Sequence, residues 1–320
     1  MGHDLGMKSR VHPKYKTKYR IGNWAVYDRA LVQRGDITLW ISTEAADSWK
    51  PAPSGRRGGQ RKFSDHAIGT ALILRLVLKL PLRQAEGFLR SVLSLMGVDL
   101  EAPDHTTVSR RSQHLEIQLA CVTAKPLHLI VDSTGLSIVG EGEWAAVKHG
   151  RRGKRAWKKL HLGVDRSGVI VVGALTDGNA DDAKTAQRLI DQVHGDIASF
   201  TADAAYDTNA IYDTAAVRGA EVVIPPAKSS TRSRRRRSRS SARDRTIMSV
   251  KEVGRRRWKK ESEYHRQARV ENTFFRYKAI IGDRLVARHP KSQAVEALIS
   301  CNIVNRMITL GRPASRAIRA

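Results

Sequence analysis

From residue 127 onward the sequence alternates short apolar runs with amphipathic stretches, and no other feature constrains the fold as tightly. Five runs have strand length: Leu127 to Val131, Lys159 to Val164, Gly168 to Leu175, Ile197 to Ala202 and Glu221 to Ile224. Stretches with helical spacing fall between and after them, at Asp181 to Val193, Asp207 to Arg218, Tyr264 to Ile281 and Ser292 to Leu310. Three strands in series, then alternating helix and strand, then helices, predict an α/β domain with a mixed sheet over residues 126–312.

The chain before it has a different texture. Residues 1–62 read as a basic arm and linker: Lys14-Tyr15-Lys16-Thr17-Lys18-Tyr19-Arg20 interleaves cations with aromatics, a pattern that can grip a nucleic-acid backbone and stack on it. A short ordered piece is expected around Trp24, Tyr27 and Trp40, and Pro51 to Arg61 reads as a flexible linker. Residues 63–125 predict three helices. Ser64 caps the first, whose apolar positions cover more than one face; Pro81 stops it; a second ends at Gly97; and Asp104 caps a third running through His114. This is the layout of a helix-turn-helix, with Arg110, Arg111 and Gln113 as candidate DNA readers. Plain helical packing with a polar outer face explains the same pattern.

Charge narrows the partners. With 57 Lys and Arg against 31 Asp and Glu, the formal charge is +26, a load that points to a polyanion. About half of that excess lies in residues 228–260, which hold 15 Lys and Arg and 2 Asp and Glu. Residues 227–260 are therefore read as a basic insertion, and its Arg/Ser-rich core, Arg232 to Arg245, as a loop unable to fold alone. Two cysteines, Cys121 and Cys301, make neither a disulfide framework nor a zinc set, which fits a reducing cytoplasm. The residues from Met1 to Gly6 contain no apolar signal core, and the greasiest run, Ala67 to Leu80, is broken by Arg75 and Lys79, so no membrane association is expected.

Three acids stand where chemistry can be built. Asp132 and Asp203 each end an apolar run, and Glu271 lies in the basic-aromatic segment around Phe274, Phe275 and Tyr277. Two strand-end carboxylates and a helix glutamate can hold two Mg²⁺ for in-line displacement at a phosphodiester. Tyr264 and Lys278 sit seven residues either side of Glu271 and share its face on a continuous helix. Each acid also has a plain explanation as a turn former or helix cap. Asp165, Asp177, Asp181, Asp182 and Asp207 are read as turn and cap residues, and His161 as a packed or phosphate-adjacent histidine.

The ordered set Val-Asp-Ser-Thr-Gly at 131–135, Lys-Leu-His-Leu-Gly-Val-Asp at 159–165, Ala-Asp-Ala-Ala-Tyr-Asp at 202–207 and Val-Glu-Asn-Thr-Phe-Phe-Arg-Tyr-Lys at 270–278 resembles the DDE transposases of bacterial insertion sequences, in the branch named for insertion sequence five. The resemblance runs from about Tyr19 to about Arg306. It implies an RNase H-like catalytic domain with Asp132, Asp203 and Glu271 as catalytic acids and ligands of two Mg²⁺, with Mn²⁺ able to substitute. It also implies DNA contacts from Tyr264 and Lys278, binding of element ends and target DNA, and at least a dimer on DNA; Arg266 is a further candidate DNA contact, with Arg269 the alternative. Cytoplasmic, nucleoid-associated action in a bacterium follows from the same likeness. The family's C-terminal signature has an arginine four residues before the glutamate; Gln267 stands there, between Arg266 and Arg269. A nuclease of the same fold that cuts without joining, and a DNA binder that has lost turnover, remain the alternatives.

Overall fold

In the computed structural model, residues 18–41, 47–53, 55, 58–119, 126–139, 157–232 and 241–318 are described. Lys14 to Thr17, Cys121 and the Arg/Ser run at 233–240 lie outside them. The chain forms two compact units, one spanning Trp40–Arg306 and the other made of its two ends.

The larger unit begins with helices α1 (Asp65–Val77), α2 (Leu82–Leu95) and α3 (His105–Arg111). Ser64 caps α1 by accepting from the Ala67 amide, and Ala67, Ile68, Ala71, Leu72, Leu74 and Leu76 are buried around several faces of that helix. This all-round burial matches the apolar positions on more than one face of the helix. Asp104 caps α3 through the amides of Thr106 and Thr107, but α3 is shorter than predicted. It stops at Arg111, and Ser112–His114 form a 3₁₀ turn whose Ser112 hydroxyl meets the Ser292 hydroxyl at 2.9 Å.

The sheet follows: β1 (Leu127–Ile138), β2 (Trp157–Val164), β3 (Ile170–Asp177), helix α4 (Asp182–Gln192), β4 (Ile197–Thr201), helix α5 (Asn209–Val217) and β5 (Glu221–Val223). Its order is β3-β2-β1-β4-β5. The first three strands are antiparallel and the last two run parallel to β1. This is the mixed sheet that the alternation predicted, and it fits an RNase H-like domain. Strands three in series can turn straight back, whereas each parallel pair needs a crossover, here α4 and α5. One face of the sheet buries Leu129, Val131, Phe200 and Ala202 against Leu189, Ile190, Ile211 and Ala215 of those helices. Each such side chain, removed fully from water, contributes roughly 1.5–3 kcal/mol when as large as Leu or Phe.

Helices α6 (Ala242–Val253), α7 (Arg255–Glu261) and α8 (Ala268–Ile280) come next, then β6 (Arg284–Leu285), which pairs with the end of β1, and α9 (Pro290–Leu310). Helix α8 packs on β1 and β2. Asn305 of α9 treats edge strand β3 as a neighbouring strand would, donating to the Ile170 carbonyl at 2.7 Å and accepting its amide at 2.8 Å.

Two expectations are corrected here. Asp132 does not end a strand: β1 continues to Ile138 because β2 carries the hydrogen-bond ladder past the point where β4 stops. The 227–260 segment is not a loop throughout, since α6 starts at Ala242, inside the stretch read as unable to fold. A contact from outside the segment stabilises it. Arg243 donates to both oxygens of the buried Asp207 at 2.8 and 3.0 Å, and Ser230 donates to the same carboxylate at 2.6 Å.

In the smaller unit, strand Lys18–Ile21 pairs antiparallel with Ser315–Ile318, next to helix Trp24–Gln33. Asn23 ties the ends together, donating to the Arg312 carbonyl at 2.9 Å and accepting the Ala314 amide at 2.7 Å. A Cβ on Gly311 would come within 2.6 Å of the Ala30 Cβ, so only glycine fits this helix contact.

Candidate active site

Strand register brings two of the acids together. Ile130 of β1 pairs with Thr201 of β4 in parallel, and both chains run two residues further to Asp132 and Asp203. Because side chains alternate across a strand, His128, Ile130 and Asp132 line one face of β1, and Ser199 and Thr201 line the same face of β4. Asp203 lies just past β4, where its carboxylate accepts the Ala205 amide at 2.9 Å and caps the 3₁₀ turn Ala204–Tyr206. Asp132 keeps its own side chain in place by accepting the Ser133 amide at 2.7 Å.

Glu271 arrives from the first turn of α8, with its side chain exposed. Burial of Asp132, opposed by its bond from Ser133, and then the charges of Asp203, Glu271 and Asp182 push the Asp132 carboxyl up to about 6. The three predicted acids therefore share one electrostatic site. Tyr264 belongs to it as well: burial, then Asp203, Glu271 and Asp132, push its phenol up to about 12, with Arg255 opposing.

The route to Tyr264 differs from the expectation. Tyr264 is not on the α-helix of Glu271 but in the 3₁₀ turn Tyr264–Gln267 that runs directly into it and is itself entered through Glu263 in the left-handed conformation at φ 54°. The tighter winding of that turn, rather than a continuous α-helical stripe, sets the direction of the phenol relative to Glu271. Lys278 is half-buried in the last turn of α8. Arg266 is engaged with Glu263 at 2.8 and 3.0 Å, and Arg166 reaches the same carboxylate at 3.5 Å. Gln267, standing at the signature's arginine position, turns inward. It is buried, donates to the Val131 carbonyl at 3.1 Å, and so fastens the start of α8 to the strand residue before Asp132. Its Oε1 has no hydrogen-bond partner among the described residues.

Sequence reasoning took Asp182 as a helix-terminal residue and missed its second role. Asp181 caps α4 through the Lys184 amide, as expected. Asp182 instead accepts from Ser133 and from Lys159, each at 3.0 Å, which supports the residue next to Asp132 from the opposite face of the sheet. Its signal in the sequence, two adjacent aspartates before a helix, is indistinguishable from a capping pair. His161 is packed, as read: it is fully buried, shares a 2.8 Å bond with Thr176 and stands 3.5 Å from Asp182, and burial pushes its imidazole down to about 4 against the pull of Asp182.

A cavity of about 250 Å³ lies on the same face of the sheet, lined by other residues than the three acids. His128, Ile130, Ser199 and Thr201 form its floor, and Arg166, Glu263 and Arg266 its rim. The helix-turn-helix candidates fall elsewhere. Arg110 is exposed, whereas Arg111 donates to the Phe63 carbonyl at 3.0 Å and pairs with Asp65; Gln113 is on the 3₁₀ turn rather than on α3.

A family model described as a transposase DDE domain matches residues 123–305, more than half of the chain. The chain belongs to the DDE transposase family. A second model with the same description matches residues 32–141, which takes in the three helices and the Asp132 strand. Transposases of this family act on DNA and use divalent metal ions, typically Mg²⁺. Ionised carboxylates such as those of Asp132, Asp203 and Glu271 are oxygen acceptors of the chemical class that Mg²⁺ takes, and burial first, then the other two acids and Asp182, raises the Asp132 carboxyl. Among the described residues no group of three or more His, Cys, Asp and Glu side chains stands close enough together to hold a metal ion. No helix of the described residues is long and apolar enough to cross a membrane.

Proposed function

We propose that this transposase binds the terminal inverted repeats of an insertion sequence of the insertion-sequence-five branch and catalyses metal-dependent DNA strand cleavage and strand transfer. Residues 1–125 bind the element end, with Arg110 as an exposed cation toward the backbone, and two copies at least assemble on DNA to join two ends. The reading is supported by the transposase DDE match over residues 123–305, with Asp132 two residues beyond Ile130 and Asp203 two residues beyond its parallel partner Thr201.

Asp132, Asp203 and Glu271 would hold two Mg²⁺. When bound, the ions supply Lewis-acid stabilisation to the attacking and leaving oxygens of an in-line displacement. The chain's own groups do the rest. Tyr264, kept protonated across the working pH range, donates a hydrogen bond to the phosphate, and Lys278 neutralises it from the far end of α8. Arg266 reaches the backbone by exchanging Glu263 for phosphate. Gln267 does not touch DNA; it fixes the angle at which Glu271 meets Asp132.

The test is a strand-transfer assay with Mg²⁺ and a labelled fragment carrying the element's own ends, run beside Glu271→Gln. Joined products that vanish in the variant are expected. Cleavage without joining would replace this reading with a nuclease, and specific binding without cleavage by either protein would replace it with a DNA binder that has lost turnover.

A further inference from the structure

The basic segment after β5 holds a feature that the family signature does not account for. Lys259 of α7 places its ammonium 4.7 Å from the centre of the Tyr264 ring, the same ring that feels all three acids. Trp258, buried beside it, packs against Tyr264 with ring centres 6.5 Å apart. One turn earlier on the same face, Arg255 donates to the Pro226 carbonyl at the exit of β5. Upstream, α6 is held by the Arg243 ion pair to Asp207, four residues beyond Asp203. The α6–α7 segment that carries Lys259 is thus attached at three points, at Tyr264, Pro226 and Asp207.

Among the described residues the charge of Lys259 is also uncommitted. Neighbouring acids are engaged elsewhere, Glu261 with Arg257 at 2.7 Å and Glu263 with Arg266 at 2.8 Å. Among the described residues no carboxylate lies in ion-pair range of Lys259, and its one described contact is the aromatic face. An ammonium held over a ring keeps most of its hydrogen-bonding capacity for a further acceptor.

We propose that Lys259 is a DNA backbone contact at the active site, gripping a phosphate of the strand whose scissile bond lies at Asp132, Asp203 and Glu271, with the Tyr264 ring as its platform. The segment from 241 to 261 is then part of the catalytic face and not a peripheral insertion. This rests on the proposed function for the identity of the strand, but its binding step can be tested independently of catalysis.

The experiment measures the affinity of the full chain for a labelled duplex taken from the DNA flanking its own reading frame, across a salt series from about 50 to 200 mM. Wild type, Lys259→Gln and Lys259→Arg are compared, each checked for an unchanged melting temperature, with cleavage in Mg²⁺ scored alongside Asp132→Asn. Loss of one phosphate contact lowers the slope of log affinity against log salt by about 0.9, so the defect of Lys259→Gln shrinks about 3.5-fold over that range. Restoration of the slope in Lys259→Arg completes the expected result. An unchanged slope in Lys259→Gln overturns the contact, whether or not the protein cleaves. Cleavage that persists in Asp132→Asn, or is absent from wild type, instead overturns the proposed function and leaves the slope measurement to decide on Lys259 alone.

Discussion

Asp132 and Asp203 are positioned by backbone, whereas Glu271 is positioned by side chains. The two aspartates lie level because Ile130 and Thr201 are paired in a parallel ladder, and each carboxylate accepts an amide close by in its own chain. Glu271 sits exposed in the first turn of α8, and what aims that turn is the packing of α8 on β1 and β2 together with the bond from Gln267 to the Val131 carbonyl. The first kind of placement is rigid and insensitive to single substitutions nearby. The second depends on a few contacts that a mutation can remove while leaving the fold intact.

Substitution of Asp132 and of Glu271 should separate these two modes most widely. Asp132→Asn and Glu271→Gln should each lower cleavage by on the order of 10³-fold, the scale on which removing one transition-state stabiliser acts. Their effects on stability should differ. The Asp132 carboxyl is raised from 3.8 to about 6 in the folded chain, so the folded state binds more protons than the unfolded state in that interval. Metal-free stability therefore declines as pH rises from about 4 to about 6 and stays reduced above it. Asp132→Asn removes that penalty and should raise metal-free stability near pH 7 by up to about 3 kcal/mol. Glu271 is exposed, and Glu271→Gln should change stability by no more than about 0.5 kcal/mol. Denaturant titrations with and without Mg²⁺ measure both, with Mg²⁺ recovering the wild-type penalty and adding little to Asp132→Asn. Equal stability effects at the two positions would remove the distinction.

Gln267→Met tests the side-chain mode directly. Methionine keeps most of the volume and loses the bond to the Val131 carbonyl, at a cost of about 1 kcal/mol. If that bond aims Glu271, the turnover number for cleavage should fall while DNA affinity holds. A fall in DNA affinity with unchanged turnover would mean that Gln267 serves the substrate rather than the helix.

What was legible in the sequence divides along the same line. Period-two runs and helical stripes are local patterns, so the strands, their mixed pairing and the exit of β4 just before Asp203 could be read in advance. The continuation of β1 past Asp132 could not, because it is carried by pairing with residues such as His161 and Leu160 far along the chain. Asp182 looked like a cap because its bonds to Ser133 and Lys159 cross the sheet. Helix α6 looked disordered because the residue that anchors Arg243, Asp207, lies well before the basic segment. Spacing suggested one continuous α-helix from Tyr264 through Glu271, whereas its first four residues wind as a 3₁₀ turn, a change of winding that no residue type announced.

The smallest effects are expected on α3, where neighbouring arginines have separate jobs. Arg111 is mostly covered, donates to the Phe63 carbonyl and pairs with an exposed Asp65, while Arg110 faces solvent. Arg111→Ala should therefore cost about 1 kcal/mol of stability, the scale of one hydrogen bond and a partly exposed ion pair, with little change in the salt dependence of DNA binding. Arg110→Ala should leave stability within about 0.5 kcal/mol and reduce the salt slope by about 0.9, one phosphate contact. Melting curves and salt titrations on the two variants give a two-by-two pattern. A reversed pattern would return the DNA-facing role to Arg111 and require α3 to give up its bond to Phe63 on binding. If neither slope changed, the element end would be held by some other part of residues 1–125 than α3.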